Sequence, residues 1–301
     1  MQLNSEIVTT PPRASATVVL LRDEPQKGLQ VFLLRRHTAS AVLGGVYVFP
    51  GGKLDEADCT PDLHRYLDAA PQALHHALGE PDLPVHTAVG LYVAAVREVL
   101  EECGVLYARV GTTVASAQDV HGATQRQQWQ HALHGGASFA NVLHSAGLCV
   151  DTQQLAPWSR WITPIQPSVT NKRFDTRFFM AVLPEGQYPI HDNVEAIDSV
   201  WHTPMDALLR YWAGEVPLAP PQIMTLVSLL PYAHTREVLA AAKAKTPPVV
   251  LPEAFDEEGL RNLCYPGDPR HSVAQRAMPG PTRLRFVAGR FEPIGGFEEF
   301  L

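Results

Sequence analysis

Two runs near the start of the chain carry apolar and β-branched residues at nearly every position. Residues 14–21 (ASATVVLL) and 29–34 (LQVFLL) flank the turn-rich DEPQKG of residues 23–28, a pattern that predicts a β-hairpin after a disordered-looking start. Residues 45–49 (GVYVF) predict a third short strand, ended by Pro50-Gly51-Gly52, where glycine lets a ligand approach the backbone. Residues 59–86 mix Pro and Gly with helical pieces at 61–67 and 71–78, the mark of an inserted helical excursion. From Thr87, a candidate N-cap, Tyr92, Ala95, Val96, Val99, Leu100 and Cys103 fall on one stripe, and Gly104 stands as the C′ residue.

Further on, 113–134 and 138–146 predict two helices separated by Gly135-Gly136. Residues 159–165, 177–183 and 199–202 predict strands. Helices follow at 204–212 and 221–229, continuing through 236–243, and 283–287 with 290–293 predict a last hairpin. Neither a repeat nor a low-complexity tract interrupts the chain. The proline-rich stretch 245–252 is the linker candidate, and the residues after it are too few for a separate core. The expected organisation is one elaborated α/β domain over 1–245, with the excursion 59–86 inside it and 246–301 packed on it as an extension.

The chain has 301 residues, 46% hydrophobic and 18% charged, with a net charge of -7. This balance argues against broad nucleic-acid or acidic-membrane binding, which needs an extended basic face. An anionic ligand must be held locally, by a few cations or by metal. Cys59, Cys103, Cys149 and Cys264 lie far apart without a C-x-x-C pair, which predicts free thiols. The polar start resembles no signal peptide, and no apolar run is long enough to span a bilayer. A soluble, cytoplasmic protein is expected, and a homodimer is left open.

Residues 97–105 (REVLEECGV) carry the chemistry. Glu98, Glu101 and Glu102 stand at i, i+3 and i+4 of the predicted helix, so their carboxylates share a side away from the apolar stripe. Such like-charge spacings cost about 0.2–0.5 kcal/mol per pair, a penalty that a bound cation reverses. Arg97 is placed to orient one carboxylate and neutralise part of the cluster. Magnesium, which takes oxygen ligands and keeps several waters, suits a site of carboxylates, a loop carbonyl and phosphate oxygens, and manganese is its substitute. Zinc is disfavoured because neither His nor Cys joins the cluster. A metal ion cancels diphosphate charge and acidifies water, and one glutamate can accept the proton. The competing reading, a merely solvated acidic face, weakens because glycine turn, arginine, apolar stripe and terminal glycine coincide.

These residues resemble the Nudix box, G-x5-E-x7-R-E-U-x-E-E-x-G-U with U aliphatic. Arg97, Glu98, Val99, Glu101, Glu102, Gly104 and Val105 match its second half, and Gly52 begins its first. Asp58 stands where the family has Glu and is given a supporting role. Residues 59–96, 38 in all, replace the usual seven. Extra length in that loop costs only slowly growing closure entropy. A long insertion there, with FPGGKLDEAD, WSRWITP, RFDTRFF and APPQ in order, is similar to the coenzyme A diphosphatase subgroup of the Nudix motif 19 type, over about residues 14–232. The resemblance implies an α/β/α sandwich around a mixed sheet, Glu98, Glu101 and Glu102 as metal ligands with a carbonyl from Gly51 or Gly52, and Glu98 as first choice of base. It implies hydrolysis of a nucleoside diphosphate linked to another moiety, foremost coenzyme A or its acyl derivatives. The alternatives are ADP-ribose, dinucleotides or modified nucleotides, and a non-catalytic ligand sensor. Of the coenzyme A signature, Leu33, Leu34, Gly45 and residues 49–52 fit, while His37 and Ala41 depart.

Arg35 and Arg36 with His37, and Lys172, Arg173 and Arg177 in an expected turn, are candidates to clamp phosphate, with a structural role as the rival reading. Trp158 and Trp161 belong either to the core or to a stack on adenine. Glu195 is the first choice for an additional acid from a late loop, ahead of Glu185, Asp192 and Asp198. His75, His76, His131 and His134 lack partners that would complete a metal site, and the turn at Tyr265-Pro266-Gly267-Asp268 has no chemical account from sequence.

Overall fold

The computed structural model describes residues 3–4, 6–40, 42–110, 113–114, 122–168 and 171–301, with residues 113 and 114 described by backbone alone. Strands β1 (Arg13–Glu24) and β2 (Gly28–Arg36) form the expected hairpin, with Leu21 opposite Val31 and Glu24 opposite Gly28. Short β3 (Tyr47–Val48) pairs with β2, and β4 (Gly51–Lys53) with β1. Two 3-10 turns lead to α1 (Pro71–Leu78) and the long α2 (Val85–Cys103). Strands β5 (Ala108–Val110), β6 (Thr113–Val114) and, after α3 (Gly122–His134) and α4 (Phe139–Ala146), β7 (Leu148–Val150) make a small sheet.

Next come β8 (Ala156–Ile162), β9 (Phe174–Val182), β10 (Ala196–His202), α5 (Pro204–Trp212), α6 (Pro220–Leu229) and α7 (Thr235–Lys243). The chain ends with β11 (Val249–Val250), β12 (Glu253–Glu257), β13 (Leu260–Cys264), β14 (Arg283–Val287) and β15 (Arg290–Glu292). The main sheet runs β10-β2-β1-β9-β8-β11. It is mixed: β1 with β9 and β8 with β11 are parallel, the other pairs antiparallel.

Both faces of this sheet are covered, and the near-continuous apolar runs read from the sequence follow from that. Ala16, Val18, Leu20, Phe32, Leu34 and Phe179 face a core shared with α1, α2, α3 and α4. Their neighbours Val19, Leu21, Val31, Leu33, Phe178 and Met180 face α5, α6 and α7 on the other side. The two sides follow strand periodicity, since successive side chains point oppositely. The result is an α/β/α sandwich.

The excursion folds as foreseen, with Leu63, Leu74 and Leu78 buried in the first core. It is anchored by Glu80, which pairs with Arg177 and Arg160, and by Asp68, which accepts from the Thr152 N–H at 2.9 Å. Helix α2 starts at Val85 after Pro84, not at Thr87, because the fixed φ of Pro84 already sets the entry. Gly104 ends it in the left-handed conformation, φ 68°. Of the expected helix 113–134 only Gly122–His134 is helical; 113–114 is strand and 115–121 lies outside the described residues.

Several strands begin earlier than expected. Strand β9 starts at Phe174, so Arg177 sits in a strand and not in a turn. Residues 230–234 separate α6 from α7 instead of continuing one helix. The start is laid down rather than loose: the Asn4 N–H donates to Ser168 O and that of Val8 to Ile165 O. The tail builds a four-stranded antiparallel sheet, of which the sequence showed only the last hairpin. Its Leu263, Tyr265, Leu284 and Phe291, with Phe300 beyond, enter the second core. The turn at Tyr265 is held by Asp268, which accepts from Arg283, Thr282 and the Arg270 N–H.

Candidate active site

Strand β4 and helix α2 meet across the first core, and the glycine turn meets the acidic face there. The Gly51 N–H donates to Glu102 Oε2 at 2.9 Å. At Gly51 a Cβ would run into the Ala16 carbonyl, and at Gly52 it would occupy the space of the Glu98 carboxylate. Only glycine lets β4 lie this close to both β1 and α2.

Arg97 organises the cluster. Its Nε and Nη2 donate to both oxygens of Asp58 at 2.9 and 2.8 Å, Nη2 also to Lys53 O at 3.0 Å, and Nη1 to Glu98 Oε1 at 2.8 Å. Glu101 lies farther off, at 3.4 Å from the same Nη1. Asp58 is 2% exposed and Arg97 7%, so this is a bidentate buried pair. The shorter carboxylate reaches the arginine because the 3-10 turn at Glu56–Cys59 carries it inward, with the Asp55 N–H donating to Asp58 Oδ2 at 3.0 Å.

Charge in this corner is unbalanced. Burial pushes Glu98 up to about 7; Arg97 opposes this, while Glu101 and Glu195 add to it. Burial, then the Glu98 charge, lifts Glu102 well above the carboxylate range despite the Gly51 N–H and Arg36. Glu101 is raised by burial, with Arg97 opposing. Burial works against the Arg97 charge, but Asp58, Glu98 and Glu101 outweigh it and hold its proton more tightly than usual.

Among the described residues, no three carboxylate, imidazole or thiol groups draw together around one point. Arg97 takes Glu98 and Glu101 to itself, and Glu102 turns to Gly51. The donors present are all hard oxygens in an electron-rich corner, which suits a hard divalent cation.

The cleft in front of this corner has a volume of about 480 Å3, within the range of about 300–1,000 Å3 common for ligand sites. Glu98, Gly51 and Gly52 line it together with Arg36 and Glu195, which lie 3.4 Å apart. Arg13, Lys53 and Lys172 add positive charge to its walls.

A profile of the NUDT19 Nudix domain matches residues 12–229. The chain belongs to that Nudix family. The acyl-coenzyme A diphosphatase NUDT19 of Gallus gallus is 26% identical over 238 residues, covering 69% of this chain and 63% of that protein. Its Homo sapiens counterpart is 29% identical over 243 residues, covering 72% and 64%. The match thus spans less than two thirds of these relatives' length. A Nudix hydrolase structure from Alicyclobacillus acidocaldarius superposes with a TM-score of 0.59 at 27% identity, covering 77% of this chain and 97% of that one. The Nudix sandwich expected from the sequence is the fold found.

Within this Nudix domain, the phosphate-clamp candidates separate. Arg36 and Lys172 reach the cleft. Arg35, one residue away on β2, points to the opposite face and lies over the Tyr47 ring, 5.8 Å from its centroid. Arg173 is a tie, donating to Thr163 O at 3.0 Å and Thr10 O at 3.2 Å. Arg177, 3% exposed, is spent on Glu80 and Asp175. These three arginines do not line the cleft, because strand alternation and local carboxylate or carbonyl partners claim them.

Of the late-loop acids, Glu195 lines the cleft. Asp192 caps the loop through the N–H groups of Val194, Glu195 and Ala196, and Asp198 accepts from the Tyr47 hydroxyl at 2.8 Å. Trp158 and Trp161 are both buried in the second core. His75 and His134 bond backbone carbonyls, of Glu80 and Glu101 respectively. Sequence reasoning missed Arg13 and Lys53; Lys53 directly follows the glycine turn, which was its available signal. Residues 59–86 contribute nothing to the cleft lining. Among the described residues no helix is long and apolar enough to cross a membrane, and the described cysteines are free thiols.

Proposed function

We propose that this protein is a divalent-metal-dependent diphosphatase that hydrolyses the pyrophosphate bond of coenzyme A or an acyl-coenzyme A. The supporting observation is that the Gly51-Gly52 turn meets Glu98 at the cleft and Glu102 behind it, although the 38 residues 59–96 stand between the two halves of the motif. The named activity of the NUDT19 relatives supplies the substrate class.

We assign Glu98 and Glu102, with Glu101 and the Gly52 carbonyl, to hold Mg2+ or Mn2+. The bound cation neutralises diphosphate oxygens and lowers the pKa of water. Glu98 is the first choice of base to accept the proton of the attacking water, because its carboxylate lines the cleft beside the glycine turn. Arg97, locked by Asp58, fixes the Glu98 carboxylate. Arg36, Lys172, Arg13 and Lys53 gather the phosphates, and the Gly51 backbone takes part in shaping their seat.

Incubation of the full chain with coenzyme A and either metal tests this reading. Adenosine 3′,5′-bisphosphate and phosphopantetheine are the expected products. Turnover of ADP-ribose to AMP with coenzyme A left intact would replace this substrate assignment by the nucleotide alternative. Saturable turnover lost in Glu98→Gln, with folding retained, excludes a non-catalytic sensor.

A further inference from the structure

Helix α3 contributes nothing to the lining of the cleft, yet its side chains reach the end of the helix that carries the acidic cluster. A helix ends with four carbonyls that lack an intrahelical partner. At the end of α2, Glu101 O accepts from Gln130 Nε2 at 2.8 Å and from His134 Nε2 at 3.1 Å, and Cys103 O accepts from the Ile190 N–H at 3.1 Å. Just beyond, Arg126 Nε donates to Gly104 O at 3.1 Å. A carbonyl can only accept, so His134 Nε2 carries a proton whether the ring is charged or neutral.

The same nitrogen lies 3.6 Å from Asp192 Oδ2. The Asp192 side chain is 1% exposed, and its oxygens accept from the N–H groups of Val194, Glu195 and Ala196 at 3.0–3.2 Å. They hold a tight turn in which Asn193 takes the left-handed conformation, φ 61°. Earlier in this segment Gln187 exchanges two hydrogen bonds of 2.9 Å with the Leu106 backbone. Gln187 and the Ile190 N–H thus moor the segment to the chain at and just after the end of α2, and His134 meets the turn itself.

That turn sets the place of Glu195, whose carboxylate faces the cleft 3.4 Å from Arg36 Nη2. From this chain of contacts we propose that His134 is a positioning residue of the diphosphate site: by holding Asp192 against the end of α2 it fixes Glu195, and through Glu195 the guanidinium that Arg36 offers to phosphate. The proposal deepens the diphosphatase reading and rests on it for Arg36 as a phosphate ligand. His134 itself touches no substrate.

The test uses the full chain in Mg2+, with coenzyme A turnover and with calorimetric binding of inorganic pyrophosphate, which needs no reaction. His134→Ala should raise KM for coenzyme A and Kd for pyrophosphate about fivefold, the upper end for a partly exposed pair, with kcat within about twofold. His134→Gln should restore both to within about twofold of wild type, because its amide nitrogen has one N–H for Glu101 O and another for Asp192. Gln130→Ala removes the shorter bond to the same carbonyl without touching Asp192 and should leave both constants within about twofold. In a Glu195→Ala background the route is already cut, so adding His134→Ala should change Kd less than about twofold.

If His134→Ala binds pyrophosphate as the wild type does, the proposal is overturned whatever the turnover. It is overturned equally if Gln130→Ala matches His134→Ala, which would reduce His134 to closing the helix end, or if the fivefold effect persists in Glu195→Ala, which would route it through Glu101. If coenzyme A is left intact while pyrophosphate binding follows the expected pattern, the substrate assignment fails and the positioning role stands. If coenzyme A is hydrolysed and His134→Ala is silent, the reverse holds.

Discussion

Replacing Glu98 by Gln should make the metal-free protein more stable while destroying its proposed activity. Burial lifts the Glu98 carboxyl from the ordinary 4.5 to about 7, with Arg97 opposing and Glu101 and Glu195 contributing. The native state therefore keeps a proton that the unfolded chain releases from about pH 4.5 upward. Metal-free stability must fall as pH rises from about 4.5 to about 7 and level off above that. At about 1.4 kcal/mol for each tenfold change in proton affinity, the cost at pH 8 is about 3 kcal/mol. Gln stands in for the protonated acid and avoids this cost. For 301 residues, unfolding entropy of about 2 cal/mol/K per residue converts 3 kcal/mol into about 5 °C.

The assay is thermal denaturation of wild type and E98Q in chelator, from pH 4.5 to 8. The two midpoints should nearly coincide at the acid end and separate by about 5 °C at pH 8, with E98Q the higher. Adding Mg2+ at about 100 times its Kd should raise the wild type by about 2.7 kcal/mol of stability and leave E98Q nearly unmoved. A metal-free E98Q that melts below wild type at pH 8, or a gap that does not grow with pH, would refute the account of Glu98 as a buried charge that Arg97 only partly compensates.

Asp58→Asn leaves Arg97 buried without its bidentate partner and should cost about 3–5 kcal/mol, measured by urea unfolding, with kcat reduced as Glu98 loses its fixed neighbour. Gly52→Ala pushes a methyl into the Glu98 carboxylate; kcat should drop more than about tenfold while circular dichroism keeps its native shape. Leu284→Ala, fully buried on β14, should lower stability by about 2–5 kcal/mol in a single transition, whereas a separately melting tail would show two. Arg177→Ala should lower the melting midpoint yet leave KM within about twofold, because its partners are Glu80 and Asp175 rather than the cleft.

The hairpin, the long helix with its Gly104 terminus and the acidic face at Glu98 to Glu102 were all legible from the order of residues. Each depends on local periodicity, on the φ freedom of glycine or on spacing along one helix, properties fixed within a few residues of chain. The reach of Asp58 was not legible, because it depends on how a 3-10 turn carries a short carboxylate inward to Arg97. Nor was the fate of the arginines. Arg35 and Arg36 are neighbours in sequence, but the pleat sends one to Tyr47 and the other to the cleft, and Arg177 is claimed by Glu80 from 97 residues away. The tail strands that share the second core likewise have long-range causes. Sequence set the chemistry available at each position; packing between distant segments decided which charges were paired with which, and which faced the cleft.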